Sequence, residues 1–284
     1  MERLPTEVAI AKQVKEFKQL QLSPAKKTKF PAISPSPMKP SRRDFLKRSA
    51  LAALATPILA APSISSAETE KTGTAPLRVA VVTGGHSYDV INFNKLFRTL
   101  PGVDAYLQHM DDFIFTPAEV RDQYDVVVFY HMLMQGPSDG PIKVVLEHLG
   151  TTRQGLVVLH HTLMAYPKWA AWSDLVGISE RNKFGFSGGQ TFQVQVANRD
   201  HPITRGLEPW TMGDETYTMP EPGEGSEILL TVEHPKSMKN IAWARSYKQS
   251  RVFCLQSGHD NVTWANPGFR DVLHRGLRWS AGRI

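Results

Sequence analysis

The chain has 284 residues, with 33 Lys+Arg against 27 Asp+Glu and a net charge of +6. Residues 1–67 hold 12 of the basic and 4 of the acidic residues, which leaves 21 basic and 23 acidic in 68–284. That larger part is nearly neutral and has no basic cluster, which excludes a phosphate-gripping nucleic-acid binder. Its single cysteine, Cys254, excludes an internal disulfide.

The excess positive charge has a different use. Ser41-Arg42-Arg43-Asp44-Phe45-Leu46-Lys47 sets paired arginines before an apolar stretch, Ser49 to Ala61, and Ser65-Ser66-Ala67 supplies small residues for cleavage. Charge, a short apolar run and a small-residue site make an export leader, and the paired arginines select the twin-arginine route. Residues 38–67 are therefore expected to be a signal peptide cleaved after Ala67, with the mature protein in the periplasm and the twin-arginine machinery as partner of the precursor. Met38 is the expected start. Residues 1–37, Lys-scattered and closed by Pro31, Pro35 and Pro37, read as an extension that would be disordered if translated. Residues 68–76 read as a linker and 77–284 as one domain, long enough for a substantial core.

Leu77 to Val82 is a short apolar run ending in Thr83-Gly84-Gly85, and it predicts a buried parallel strand followed by a loop. Asn92 to Leu100 has helical spacing and stops at Pro101-Gly102. Val103 to Gln108 and Tyr124 to Tyr130 follow as strands, Ile142 to Leu149 as a helix, and Gly155 to Leu159 as a strand running into His160-His161. Strands alternating with helices imply a doubly wound, mostly parallel α/β sheet in a single domain. The pattern then changes. Thr191 to Ala197 alternates as a half-exposed strand, and Glu227–Val232, Asn240–Ala244 and Arg251–Leu255 are further strands. Asn266 to Ala281 closes the chain as a helix, with Pro267 near its start and Gly282 just past its end. No apolar run in 68–284 is long enough to span a bilayer.

Open parallel sheets bind ligands beyond the carboxyl ends of their strands. His86, His131, His160, His161 and His259 all fall there, the last followed by Asp260. One such histidine means little, but five at one edge point to a site.

Several ordered segments resemble the ThuA-like (trehalose utilisation) family, whose fold is similar to that of class I glutamine amidotransferases. They are Gly155-Leu156-Val157-Val158-Leu159-His160-His161, His201-Pro202-Ile203-Thr204-Arg205-Gly206-Leu207, Asp214-Glu215-Thr216-Tyr217, Ala242-Trp243-Ala244-Arg245, Arg251-Val252-Phe253, Gly258-His259-Asp260 and Arg275 to Gly282. The resemblance runs from about Arg78 to the end, and it implies a flavodoxin-like sheet and a role in the use of trehalose or an oxidised sugar. The departure from the amidotransferases is at their nucleophile turn. Where they carry a cysteine, this chain reads Leu159-His160-His161-Thr162, and Cys254 lies inside a strand. Glutaminase chemistry is thus not expected.

Imidazoles beside carboxylates allow acid–base catalysis or metal binding. His160, His259, Asp214 and Glu215 are the expected catalytic residues. His86, Tyr217, Asp260 and Trp264 are the expected substrate contacts. If a divalent ion such as zinc is bound, His86, His160 and His259 are its expected ligands. His160 is preferred over its neighbour because the family pattern has its histidine there; His131 and His161 are reserves that could point into the core. Trp169, Trp172 and Trp210 could stack on a sugar, although the spacing of the first two suits helix packing better. An enzyme acting on a sugar or sugar-derived small molecule is one reading, and a non-catalytic sugar-binding or accessory protein on the same fold is the other.

Overall fold

The computed structural model describes residues 75–136 and 140–284. The expected leader, the expected extension before it and nearly all of the expected linker lie outside those residues.

Nine strands form the described part of the sheet, in the order β2-β1-β3-β4-β9-β8-β7-β5-β6. β1 (Leu77–Gly84), β2 (Val103–His109), β3 (Val126–His131), β4 (Gly155–Leu159) and β9 (Ser250–Leu255) run parallel. The chain then turns antiparallel through β8 (Asn240–Tyr247), β7 (Glu227–Thr231) and β5 (Gly185–Val196), and β5 carries β6 (Trp210–Thr218). The sheet is therefore mixed. Its parallel half has the flavodoxin-like order, with the direction of winding changing between β1 and β3.

Composition explains which strands lie inside. β3 (VVVFYH) and β4 (GLVVL) are buried at every position, whereas the edge strand β2 alternates between exposed and half-buried. Helices cover both faces. On one side, α1 (Val90–Arg98) contributes Phe93, Leu96 and Phe97, joined by α6 (Asn261–Ala265) and α7 (Pro267–Ser280). On the other lie α2 (Met110–Phe115), α4 (Pro141–His148) and α5 (Ala170–Val176), with the short α3 (Ala118–Arg121) between strands. α7 packs so closely on β9 that a Cβ at Gly276 would stand 2.2 Å from the Phe253 ring. Among the described residues, no helix is long and apolar enough to cross a membrane.

Several elements depart from the sequence expectation: β5 begins at Gly185 rather than Thr191, and α2, α3 and α6 are not foreseen. α1 begins at Val90 rather than Asn92, because the Asp89 carboxylate accepts from Asn92 N at 3.1 Å and caps it. β6 runs through Asp214-Glu215-Thr216-Tyr217, where the sequence pattern predicts no strand. Its buried positions include Asp214 and Thr216, so the strand lacks the apolar alternation that would mark it.

Candidate functional site

The site grows out of two strand ends and the body of a third strand. β4 is a fully buried run that ends at His160, the first residue of a 3-10 turn over His160–Met164. His160 has φ +55°, a left-handed conformation that costs a non-glycine residue about 1–2 kcal/mol. The turn is tied down on all sides. Thr162 Oγ1 accepts from His131 N at 2.6 Å and donates to His131 O at 2.8 Å. Trp172 Nε1 donates to Thr162 O at 3.2 Å. The buried Arg181 guanidinium donates to the carbonyls of Leu163, Ala165 and Tyr166. A strained residue held by its surroundings is the geometry expected of a functional turn, and here it presents an imidazole.

The orientation of that imidazole is fixed. His160 Nδ1 lies 2.8 Å from Gln256 O. A carbonyl can only accept, so Nδ1 carries the proton and Nε2 turns its lone pair to the site.

The second strand end is β9. Beyond it, Gly258 (φ +136°) and His259 bend over the sheet edge. Asp214 shapes this bend, since its carboxylate accepts from Gly258 N at 2.8 Å, His259 N at 3.0 Å and Glu215 N at 2.8 Å. Tyr130 Oη and Trp264 Nε1 both donate to Gly258 O, at 3.1 and 2.8 Å. The result places His259 Nδ1 3.1 Å from His160 Nε2.

β6 supplies the rest. Glu215 and Tyr217, two apart on a strand, project to one side. Tyr217 Oη lies 2.7 Å from His160 Nε2 and donates to Glu215 Oε1 at 2.8 Å. Glu215 Oε1 is 3.6 Å from both His160 Nε2 and His259 Nδ1. Burial works to raise the Glu215 pKa, but the hydrogen bond from Tyr217 and the nearby His160 and His259 hold it below the ordinary value. Burial and Glu215 push the Tyr217 phenol well up. Burial also raises Asp214.

The ligand atoms of His160, Glu215 and His259 all lie within 4.8 Å of one another. Two ligands on one tetrahedral zinc stand about 3.3–3.4 Å apart, given Zn–N bonds near 2.0–2.1 Å. The observed separations of 3.1, 3.6 and 3.6 Å bracket that value. The Nδ1–H···O=C bond of His160 is also the outer contact that metal-bound histidines make. The donor set therefore fits a divalent ion.

The sequence-predicted residues divide accordingly. His160, His259, Glu215 and Tyr217 converge. His86 does not join the three-ligand group: its ring stacks on His161 at 4.6 Å and lies 6.1 Å from that of His259, so Glu215 replaces it in the candidate metal set. Asp214 is expected to be catalytic but spends its oxygens on backbone amides, which makes it a positioning residue. Asp260 caps α6 through Val262 N and Thr263 N and is otherwise exposed. Trp264 is buried against Phe93, its N–H bound to Gly258 O, so it supports the bend rather than a sugar. Trp172 is core, and Trp210 packs against Gly268. His131 turns into the other face, among Phe129, Tyr166 and Trp172. Gln256 and Arg181 escaped sequence reasoning: one acts through its carbonyl, which no side-chain pattern reveals, and the other sits in a loop with no motif.

Cys254 is buried in β9, and burial pushes its thiol up. Cys254→Ala is expected to change stability only modestly, and the protein is expected to release no ammonia from glutamine. Glutamine hydrolysis that vanishes in this variant would contradict the assignment of the turn.

A family model described as ThuA, trehalose utilisation, matches residues 78–280. A search of curated proteins finds no match. Among solved structures, a putative ThuA-like protein from Parabacteroides merdae superposes with a TM-score of 0.61 at 18% identity, over 74% of this chain and 91% of its own. Another from Bacteroides uniformis gives 0.57 at 21% identity, over 73% and 92%. A cytoplasmic protein from Salmonella typhimurium gives 0.53 at 12% identity, over 72% and 99%. At these identities the structures speak for the fold, and the family match speaks for the sequence: the chain belongs to the ThuA family.

Proposed function

We propose that the protein is a carbohydrate-active enzyme in which His160, Glu215 and His259 hold a divalent ion such as zinc, and in which Tyr217 takes part in proton transfer next to a sugar carbonyl or hydroxyl. The observation that carries this is the meeting of His160 Nε2, His259 Nδ1, Glu215 Oε1 and Tyr217 Oη at one point of the sheet edge. Lone pairs outnumber protons there. His160 gives its only neutral-state proton to Gln256, and Tyr217 has one proton for two acceptors. Such a cluster binds either a cation or an additional proton, and both uses suit the chemistry of oxidised sugars. Family membership supports the carbohydrate side of the reading.

When bound, the ion supplies positive charge that stabilises an oxyanion developing on the substrate. The chain's own groups do the remaining work. His160 is held in one tautomer by Gln256. Asp214 fixes the backbone that carries His259. Tyr217 Oη holds a proton between His160 Nε2 and Glu215 Oε1. Glu215 and His259 are the partly exposed members, which puts them nearest an arriving substrate, with His86 beside them. The test is exchange of solvent deuterium into the C–H next to the carbonyl of a keto-trehalose, followed by NMR. Label entering with turnover supports the enzyme. Binding of the sugar without exchange or product would favour the non-catalytic reading.

The proposal extends to location. The paired Arg42 and Arg43, the apolar run and Ser65-Ser66-Ala67 support twin-arginine export to the periplasm. Replacing both arginines by lysine should leave precursor in the cytoplasm, and the mature protein should begin near Glu68. Normal periplasmic appearance of the double variant would refute the export route.

A further inference from the structure

Beside the candidate metal cluster the rings of four histidines form a closed circuit. His160 and His259 have centroids 5.2 Å apart, His160 and His161 5.2 Å, His161 and His86 4.6 Å, and His86 and His259 6.1 Å. Two of the four belong to the cluster already described. The other two are unaccounted for.

Of these four His161 is the anomalous one, and it shares its state with His131, which lies on the other face among Phe129, Tyr166 and Trp172 and away from the cluster. His161 is 1% exposed, yet neither of its ring nitrogens makes a hydrogen bond with any protein group. Buried polar atoms in native proteins are nearly always paired, so an imidazole left with both nitrogens free is costly unless something else pairs with it. Its neighbours offer shape and no partner: Tyr130 packs at 4.4 Å, and half-buried His86 stacks on it at an interplanar angle of 26°. A buried imidazole with no acid beside it is uncharged, so it presents one N–H and one lone pair. That pair of functions matches a hydroxyl group, which both donates and accepts, and does not match a phosphate or carboxylate, which only accept.

We propose that His161 and His86 form a subsite next to the metal cluster that takes uncharged hydroxyl oxygens of the sugar, with His161 making the hydrogen bonds and His86 lining the approach. The proposal rests on the carbohydrate reading of the adjacent cluster. It assigns substrate recognition to a second pair of histidines and leaves His160 and His259 to the chemistry.

The test is calorimetric titration of the purified protein with trehalose and with a keto-trehalose, comparing wild type with His161→Phe. Phenylalanine keeps the stack on His86 and Tyr130 and removes both nitrogens. Affinity should fall about tenfold or more, the loss expected from one to two hydrogen bonds. The melting temperature should hold or rise, because two unsatisfied buried atoms are gone, and zinc binding should persist. His86→Phe should weaken the same sugar with zinc binding again retained. Affinity within about twofold of wild type in His161→Phe would overturn the proposal. So would a loss of affinity accompanied by a lower melting temperature and lost zinc, since that pattern marks a structural role. Wild type binding neither sugar would overturn the carbohydrate reading along with it, which separates the two failures.

Discussion

Glu215→Gln should lower the rate of deuterium exchange into a keto-trehalose by about 10²–10⁴, the range contributed by a single acid–base group. The substitution is nearly isosteric. The amide oxygen can still accept from Tyr217 Oη, so the hydrogen bond of 2.8 Å can survive. What disappears is the negative charge between His160 Nε2 and His259 Nδ1, each 3.6 Å from Oε1. Without it the cluster loses its anionic metal ligand, and Tyr217 keeps only a neutral, weaker acceptor in place of the carboxylate. The fold should stay intact, because Glu215 is partly exposed and the β6 backbone is anchored by its neighbour Asp214. Asp214→Asn should behave differently. Two amides, from Gly258 and His259, meet that carboxylate across strands, so loss of its charge should lower both stability and activity. Comparing the melting temperatures of the two variants alongside their rates separates the acid–base role from the positioning role. Equal rates for Glu215→Gln and wild type would remove Glu215 from the mechanism.

Acid should destabilise this domain well above the pH at which most carboxylates titrate. His131 is completely buried, and burial pulls its pKa from 6.5 down to about 3. Above about pH 6.5 the imidazole is neutral in both folded and unfolded chains, and nothing is lost. Below it the unfolded chain takes up a proton that the folded one refuses. Stability then falls by about 1.4 kcal/mol for each pH unit until the pH nears the folded value. Burial lowers His161 well below its usual value as well, so it steepens the same slope. Denaturant midpoints measured at pH 7.5 and pH 5.5 should show the fall, and His131→Leu should make it smaller. A midpoint independent of pH across that window would mean that His131 is not held neutral in the core.

The parallel half of the sheet was legible because its central strands are buried on both faces. β1, β3 and β4 are continuous apolar runs, and such runs announce themselves without any knowledge of their partners. The site was legible only in part. The histidines past β4 and β9 follow from strand ends alone. Glu215 and Tyr217 do not, because β6 carries no apolar strand pattern: its inward side carries Asp214 and Thr216, whose partners lie on distant segments. The choice between His160 and His161 was likewise beyond local pattern. It is settled by the left-handed backbone at His160, which sends one imidazole to Gln256 O and His259 and the other under His86. Asp260 and Trp264 misled for a related reason. Both follow His259 closely in sequence, but α6 begins immediately after it, so one becomes a cap and the other a core residue.

Cobalt(II) titration of the purified protein, read by visible absorbance and checked by elemental analysis, tests the central claim most directly. One ion per chain should bind in wild type with the spectrum of a nitrogen- and oxygen-ligated site. Glu215→Gln and His259→Gln should each lose it, and His86→Ala should keep it, because His86 lies outside the three-ligand group. Failure of wild type to bind a divalent ion, or binding that survives in both the Glu215 and His259 variants, would contradict the account.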